Sequence, residues 1–203
     1  CFVAESMGRK CGYLALMSGI ATGAERVYLN EDGLTLAQLA RDSARMVESF
    51  RSGRDLYLVI RNERASENYT LDVLAKIFAQ EGRGLYDVRH AALGHLQQGG
   101  DPSAFDRIMA TKLVAHALDL LADQLGAGTH HSSYVGLTGG RITHRRLERM
   151  NDELDLSSRR PLHQWWMGLR EAISLVSQNI GVIPLEDMPD FSASVNAAAS
   201  PQD

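Results

Sequence analysis

The chain has 203 residues, a formal charge of −4, 44% hydrophobic and 23% charged residues. That size and balance suit one sizeable domain, or a large part of a bigger protein. They give no electrostatic footing for nucleic acid or an anionic membrane surface. No apolar run approaches the roughly 20 residues that span a bilayer, and no secretory pattern opens the chain. Cys1 and Cys11 are the two cysteines, too few for a disulfide framework, so a reducing, cytoplasmic compartment is expected. The opening Cys1-Phe2-Val3-Ala4-Glu5, with no initiator Met, reads as an edge strand cut from something longer. A fragment is therefore expected.

Residues 1–5 form the first predicted strand and Ser6 to Gly12 a turn carrying Arg9 and Lys10. Tyr13 to Ala21, apolar with small residues, predicts a helix packed on a sheet. Arg9 is either an anion contact through its fork of donors or a surface arginine near a helix start. Arg26 to Leu29 is a second short strand. Thr35 caps a helix carrying Leu36, Leu39, Met46, Val47 and Phe50, which ends near Ser52-Gly53. Leu56 to Ile60 is the clearest buried strand, of the kind found in a parallel sheet covered on both faces. Arg61, Asn62, Glu63 and Arg64 crowd its carboxyl end, where open α/β sheets bind ligands. Glu63 there either accepts hydrogen bonds from sugar hydroxyls or pairs with Arg61 or Arg64. A helix follows from Glu67-Asn68-Tyr69-Thr70 through about Gln80.

Tyr86 to Leu93 predicts a strand that runs into Gly94-His95-Leu96-Gln97-Gln98-Gly99-Gly100-Asp101-Pro102. Asp101 is a good N-cap and Pro102 suits the first helical position; Ser103 and Asp106 offer a second, weaker capping pair. A strand feeding a glycine loop at a helix N-terminus is a physical anion site, because free N–H groups and the positive dipole end coincide. With His95, Gln97 and Gln98 at its mouth, the loop reads as a sugar-phosphate site, or else as a plain strand–turn–helix corner. The helix runs to about Gln124 with an amphipathic face of Ile108, Leu113, Leu118 and Leu121, and Gly126-Ala127-Gly128 is a linker. Ser133 to Leu137 is a strand, Gly139-Gly140 a turn, and Arg141-Ile142-Thr143 its partner or a helix start. Adjacent His130 and His131 lack a third ligand at metal spacing and read as structural or exposed. Arg145, Arg146 and Arg149 form a basic patch on a predicted helix. Pro161 opens a last helix through Trp165, Trp166, Leu169, Ile173 and Val176, with the tryptophans as core or interface filler. From about Gly181 the apolar periodicity fades, which reads as a flexible tail. The alternation of strands and helices predicts an α/β fold with a mostly parallel sheet.

Three stretches carry a resemblance. Met7-Gly8-Arg9-Lys10-Cys11-Gly12-Tyr13-Leu14-Ala15-Leu16 is one. Arg61-Asn62-Glu63-Arg64 with Glu67-Asn68-Tyr69-Thr70 is the second. Leu93-Gly94-His95-Leu96-Gln97-Gln98-Gly99-Gly100 with Phe105-Asp106-Arg107 is the third. In order and spacing, across roughly residues 1–178, they resemble the ATP-dependent 6-phosphofructokinase family. The family's nucleotide loop and its Thr-Ile-Asp-Asn-Asp catalytic segment belong to an earlier part of the unit, so no catalytic residue is assigned. The match is closer to the C-terminal, regulatory half of the duplicated eukaryotic-type enzymes. Gln98 stands where catalytic units carry arginine, and Gln97-Gln98 and Arg61-Asn62-Glu63 follow the regulatory pattern. Arg9 departs from it, being the residue of catalytic units.

The resemblance implies a phosphofructokinase-like α/β unit over 1–180, with 181–203 as the tail. It implies that Met7, Gly8 and Arg9 line a sugar and that Glu63 binds sugar hydroxyls. Arg89 would grip a phosphate, including one held by a neighbouring unit. His95, Leu96, Gln97 and Gln98 would form a phosphate loop, and Arg170 would add a cation from the last helix. Glu25 matches a position that helps hold an effector nucleotide's magnesium in bacterial relatives, or is a surface ion pair with Arg26. The implied ligand is fructose 2,6-bisphosphate as an allosteric activator, or fructose 6-phosphate if the segment is the substrate-binding part of a catalytic unit. A non-catalytic sugar-phosphate module is the third reading. Mg2+ and ATP would belong to the full-length enzyme, a homo-oligomer expected to be a tetramer, with none held by this segment and with the segment alone inactive.

Overall fold

The computed structural model describes residues 1–173; the expected tail, and the end of the last helix at Val176, lie outside them. The described residues form two units, 1–98 with 164–173, and 99–163.

The first unit is built on a four-stranded parallel sheet of order β2-β3-β1-β4, from β1 (Phe2–Ser6), β2 (Arg26–Tyr28), β3 (Leu58–Asn62) and β4 (Arg89–Ala92). The predicted α/β class with a mostly parallel sheet is what forms. Helices α1 (Tyr13–Thr22), α2 (Leu36–Arg51) and α3 (Leu71–Gly82) are the crossovers. Thr35 and Thr70 cap α2 and α3, each hydroxyl accepting the N–H three residues on. One core joins Val3, Tyr28 and Val59 to Leu39 and Met46 of α2 and Leu74 and Phe78 of α3. A second joins Ala15 and Leu16 of α1 to Ile60, Trp166 and Ile173. Gly19 lets α1 lie close on β2, since a Cβ there would stand 2.3 Å from a Val27 methyl.

Several expectations change here. β1 is central rather than an edge, because it pairs with both β3 and β4. β3 starts at Leu58, not Leu56, and runs on through Arg61 and Asn62, both buried. Leu56 is exposed, and the Leu58 amide is turned to the Glu25 carboxylate. Pro161 opens no helix. It lies in β8 (Arg160–Pro161), which pairs with β7 (Leu154–Asp155) in the second unit. A 3-10 turn, Trp165–Leu169, precedes the last helical residues of the first unit. Trp166 is buried and Trp165 exposed, each with an edge on Tyr13.

In the second unit, α4 (Ala104–Ala127) carries an antiparallel hairpin of β5 (Ser133–Thr138) and β6 (Arg141–Arg146). α4 starts later than Asp101-Pro102 predicts. Ser103 is the N-cap, its hydroxyl taken up by Asp106, whose carboxylate also accepts the Ser103 N–H at 2.9 Å. That capping box outcompetes Asp101 and places the helix's own anion at its positive end. Gly126 and Ala127 extend the helix, and Gly128 ends it in the left-handed conformation. The half-buried stripe is Met109, Leu113, His116, Leu120 and Gln124, not the predicted face: Ile108, Leu118 and Leu121 are exposed. The helix is apolar around much of its circumference, and the hairpin covers one side. Arg145 and Arg146 belong to β6 and Arg149 to a 3-10 turn, so the basic patch lies on no long helix. Arg145 pairs with Glu153, and Arg149 with Asp152. Among the described residues no helix is long and apolar enough to cross a membrane.

Candidate functional site

Three chain segments leave the carboxyl ends of adjacent strands in the first unit. The turn Met7 to Gly12 follows β1, the turn from Glu63 follows β3, and a 3-10 turn, Gly94–Gln98, follows β4. The ladder reaches one step past each strand, as the Glu63 N–H donates to Ser6 O at 3.0 Å and the Leu93 N–H to Glu5 O at 3.0 Å. Beyond it the side chains take over. Gln97 Oε1 accepts the Met7 N–H at 2.8 Å, and Glu63 Oε1 accepts the Gly8 N–H at 3.1 Å. Two successive amides of one turn are thus held by side chains from the other two.

The turn geometry depends on Gly8, whose φ is +136°, in a region that L side chains rarely enter. A Cβ there would stand 2.4 Å from Cys11 O and 2.8 Å from Asn62 Nδ2. Asn62, fully buried, ties the two loops together. Its Nδ2 donates to Gly8 O at 3.1 Å and Cys11 O at 3.3 Å, and its Oδ1 accepts the Arg64 N–H at 3.0 Å. Arg61 lies beneath them, 2% exposed. It pairs with Glu5, its register partner on β1, and donates to Glu63 O at 3.2 Å and Ser66 O at 2.7 Å. Burial lowers the guanidinium's pKa from its ordinary value, and Glu5 opposes that shift. On the far side of the turn the Glu31 carboxylate accepts the Gly12 N–H through both oxygens, at 2.9 and 3.0 Å, at the start of α1.

Of the residues singled out from sequence, Met7, Gly8, Glu63 and Gln97 are brought together. Arg9 is exposed on the same turn, and His95, Leu96 and Gln98 are exposed on the 3-10 turn that carries Gln97. Glu63 forms neither of the ion pairs weighed for it: Arg61 goes to Glu5 and Arg64 to Glu67. Arg89 is not part of the cluster. It opens β4, with its N–H on Cys1 O at 2.9 Å, so the strand's length, about 10 Å, separates it from the 3-10 turn. Arg170 pairs with Asp32 and donates from Nε to Met167 O at 3.1 Å. Glu25 lies at the amino ends of β2 and β3, 9% exposed, with Oε1 on Arg54 at 2.9 Å and Oε2 accepting the Leu58 N–H at 2.7 Å. It is no surface pair with Arg26, which binds Asp42 at 2.9 Å. Among the described residues no three histidine, cysteine or acidic side chains stand together as a metal site.

Four residues build the site from below: sequence reasoning noted Arg61 and Asn62 at the strand's carboxyl end without giving them a role in the site, and gave none to Glu5 or Glu31. The available signal was an arginine and an asparagine continuing an apolar run directly, with an acid at the matching end of the first strand. Chemically, the cluster sets a carboxylate and a carboxamide against two backbone N–H groups, beside an exposed cation. A carboxylate accepts hydroxyl hydrogens, and amides and a guanidinium donate to phosphate oxygens. A hydroxylated, phosphorylated small molecule suits that set.

The model of one protein family, described as phosphofructokinase, matches residues 1–121. The chain is 43% identical over 92% of its length to an ATP-dependent 6-phosphofructokinase of Dictyostelium discoideum, covering 22% of that protein. It is 34% identical over 87% of its length to the human muscle-type ATP-dependent 6-phosphofructokinase, covering 24% of it. Among solved structures, phosphofructokinase from Saccharomyces cerevisiae superposes with a TM-score of 0.79 at 28% identity, over 87% of this chain and 24% of that one. The chain spans about a quarter of the length of the curated relatives it matches.

Proposed function

The chain belongs to the phosphofructokinase family, and on that premise we propose that it is a C-terminal-half segment of an ATP-dependent 6-phosphofructokinase in which the former sugar site binds fructose 2,6-bisphosphate as an activator. The full-length enzyme transfers the γ-phosphoryl group of MgATP to the 1-hydroxyl of fructose 6-phosphate, a cytoplasmic reaction of glycolysis, as a homo-oligomer expected to be a tetramer. Mg2+ and ATP are held outside this segment.

The observation that carries the reading is the meeting of Glu63 and Gln97 on the Met7 and Gly8 amides. Glu63 takes sugar hydroxyls, and Met7, Gly8 and Arg9 line the sugar. The turn of His95, Leu96, Gln97 and Gln98 contacts a phosphate. Glu63 and Gln97 satisfy the two amides themselves, so binding exchanges those contacts for ligand contacts. Gln98 stands where catalytic units of the family carry arginine, and that pattern favours the regulatory half. Arg89, at the opposite end of the sheet, serves a phosphate in a neighbouring unit, and Arg170 remains a secondary cation tied to Asp32. Glu25 keeps its structural pair with Arg54. An effector here acts only through differential affinity for two quaternary states.

Calorimetric titration of the full-length protein with fructose 2,6-bisphosphate and, separately, fructose 6-phosphate tests this, with Glu63→Gln and Arg89→Ala variants. Loss of a buried charged contact costs about 2–5 kcal/mol of binding, so Glu63→Gln weakens the bisphosphate about thirtyfold or more, and Arg89→Ala, which removes an exposed cation, weakens it less. Tighter binding of the monophosphate at this site would assign it to a catalytic unit instead. Wild-type affinity for both ligands in the Glu63→Gln variant would overturn the site.

A further inference from the structure

The second unit holds a feature that the sugar-phosphate reading does not use. His116 lies on the half-buried stripe of α4, and His144 is exposed on β6. His116 Nε2 and His144 Nδ1 are 3.1 Å apart, with ring centroids at 5.3 Å, so the two nitrogens are the facing parts of the rings. Without an ion, one ring donates its N–H and the other accepts it. We propose that this pair is a two-histidine chelate for a divalent transition-metal ion of imidazole preference, Zn2+ or Cu2+, clamping α4 to the β5–β6 hairpin.

An ion about 2.0–2.1 Å from each nitrogen, with the nitrogens 3.1 Å apart, subtends an angle of about 100°. That lies between the square-planar and tetrahedral values, and imidazole suits Cu2+ and Zn2+. The two ligands come from different elements, so a shared ion closes a long loop of chain, from His116 through the hairpin to His144. The donating ring moves its proton to its other nitrogen, and rotation of the exposed His144 ring brings both lone pairs to one point; two neutral rings lose no proton. His131 is not a third ligand, because its Nε2 is 3.1 Å from Arg146 Nη2. No third acidic, histidine or cysteine side chain joins the pair among the described residues, so water completes the coordination.

Titrating the full-length protein with ZnCl2 and, separately, CuCl2 in a non-chelating buffer near neutral pH tests the site. The proteins compared are wild type, His116→Gln, His144→Gln, the double variant, and His130→Gln/His131→Gln as a control, with circular dichroism confirming that each is folded. Each single substitution lowers the affinity of one equivalent of ion at least about tenfold by ending the chelation, and the double variant loses the remaining imidazole as well, more than either single but less than the sum of the two. That non-additivity is the signature of two ligands on one ion. Bound Cu2+ shows nitrogen hyperfine splitting from two imidazoles in wild type and from one in each single variant. No ion affected by either single substitution, losses that add in the double variant, or loss of the ion in the His130/His131 control would each overturn the proposal.

Discussion

Glu63 and Gly8, 55 positions apart, are joined by a hydrogen bond of 3.1 Å from the Gly8 amide to the Glu63 carboxylate. The bond requires the Gly8 backbone at φ +136° and the space that a side chain would fill. Gly8→Ala therefore costs about 2–3 kcal/mol of stability, from backbone strain and the displaced Cys11 carbonyl. Urea denaturation reads it as a lower midpoint with an unchanged slope. Glu63→Gln keeps one acceptor oxygen and changes the stability by less than about 0.5 kcal/mol. If Gly8→Ala is as stable as wild type, the turn does not adopt this conformation.

Arg61 is buried with its partner Glu5 about one-fifth exposed. Removing one member of a buried pair leaves an uncompensated charge, at a cost of about 3–5 kcal/mol. Because water reaches Glu5, Arg61→Met falls at the lower end, about 3 kcal/mol. Adding Glu5→Gln to Arg61→Met removes the stranded carboxylate and recovers part of the loss. A double-mutant cycle in urea measures the coupling, and strict additivity would mean that the pair contributes only through its separate contacts.

Local sequence signals placed the cap of α2 at Thr35, a signal that acts within one turn, but they favoured Asp101 over the Ser103–Asp106 pair that starts α4 and set a helix at Pro161 where a strand forms. What periodicity could not show was pairing between distant segments. β1 reads as an edge strand, yet β3 and β4 both pair with it. Arg61 and Asn62 read as a polar loop, and they stay in β3 because Glu5, Ser66 and the Gly8 and Cys11 carbonyls satisfy them. Arg145 and Arg146 read as helical, whereas the hairpin register across Gly139-Gly140 makes them strand residues. Motif positions fared unevenly for the same reason. Glu63 and Gln97 meet, whereas Arg89, only six positions before His95, is carried to the other end of the sheet by the extended strand between them.

Tyr57 gives the first unit an alkaline limit. Burial, with Asp42 and Glu25 nearby, pushes its phenol up to about 12. The folded pKa exceeds the ordinary value near 10, so the full stability is present below about pH 10 and is lost as pH rises through about 12. The loss across that window is about 2–3 kcal/mol. Tyr57→Phe removes this component and flattens the fall between those pH values, leaving Tyr28, whose pKa is raised in the same direction. Denaturation midpoints at pH 9 to 12 for wild type and variant measure it, and parallel curves would refute the assignment.

Asp106 provides the acid-side counterpart in the second unit. Hydrogen bonds from the Ser103 hydroxyl and amide hold its carboxyl below the ordinary carboxylate value. The folded pKa is depressed, so the capping contribution is present above the ordinary carboxylate range and is lost as pH falls through the lowered value. Ser103→Ala deletes the hydroxyl bond, the largest cause of the shift, and leaves the amide bond. The Asp106 pKa then rises part of the way back, and the first turn of α4 frays at neutral pH. A carboxyl-carbon NMR titration follows the first effect, and amide exchange at Phe105–Arg107 follows the second. Ser103→Gly separates the cap from the backbone, since glycine is itself a tolerated N-cap. It raises the pKa as alanine does but frays the helix less. Equal fraying in the two variants would mean that the hydroxyl–carboxylate bond alone, and not the N-cap conformation, starts the helix at Ala104.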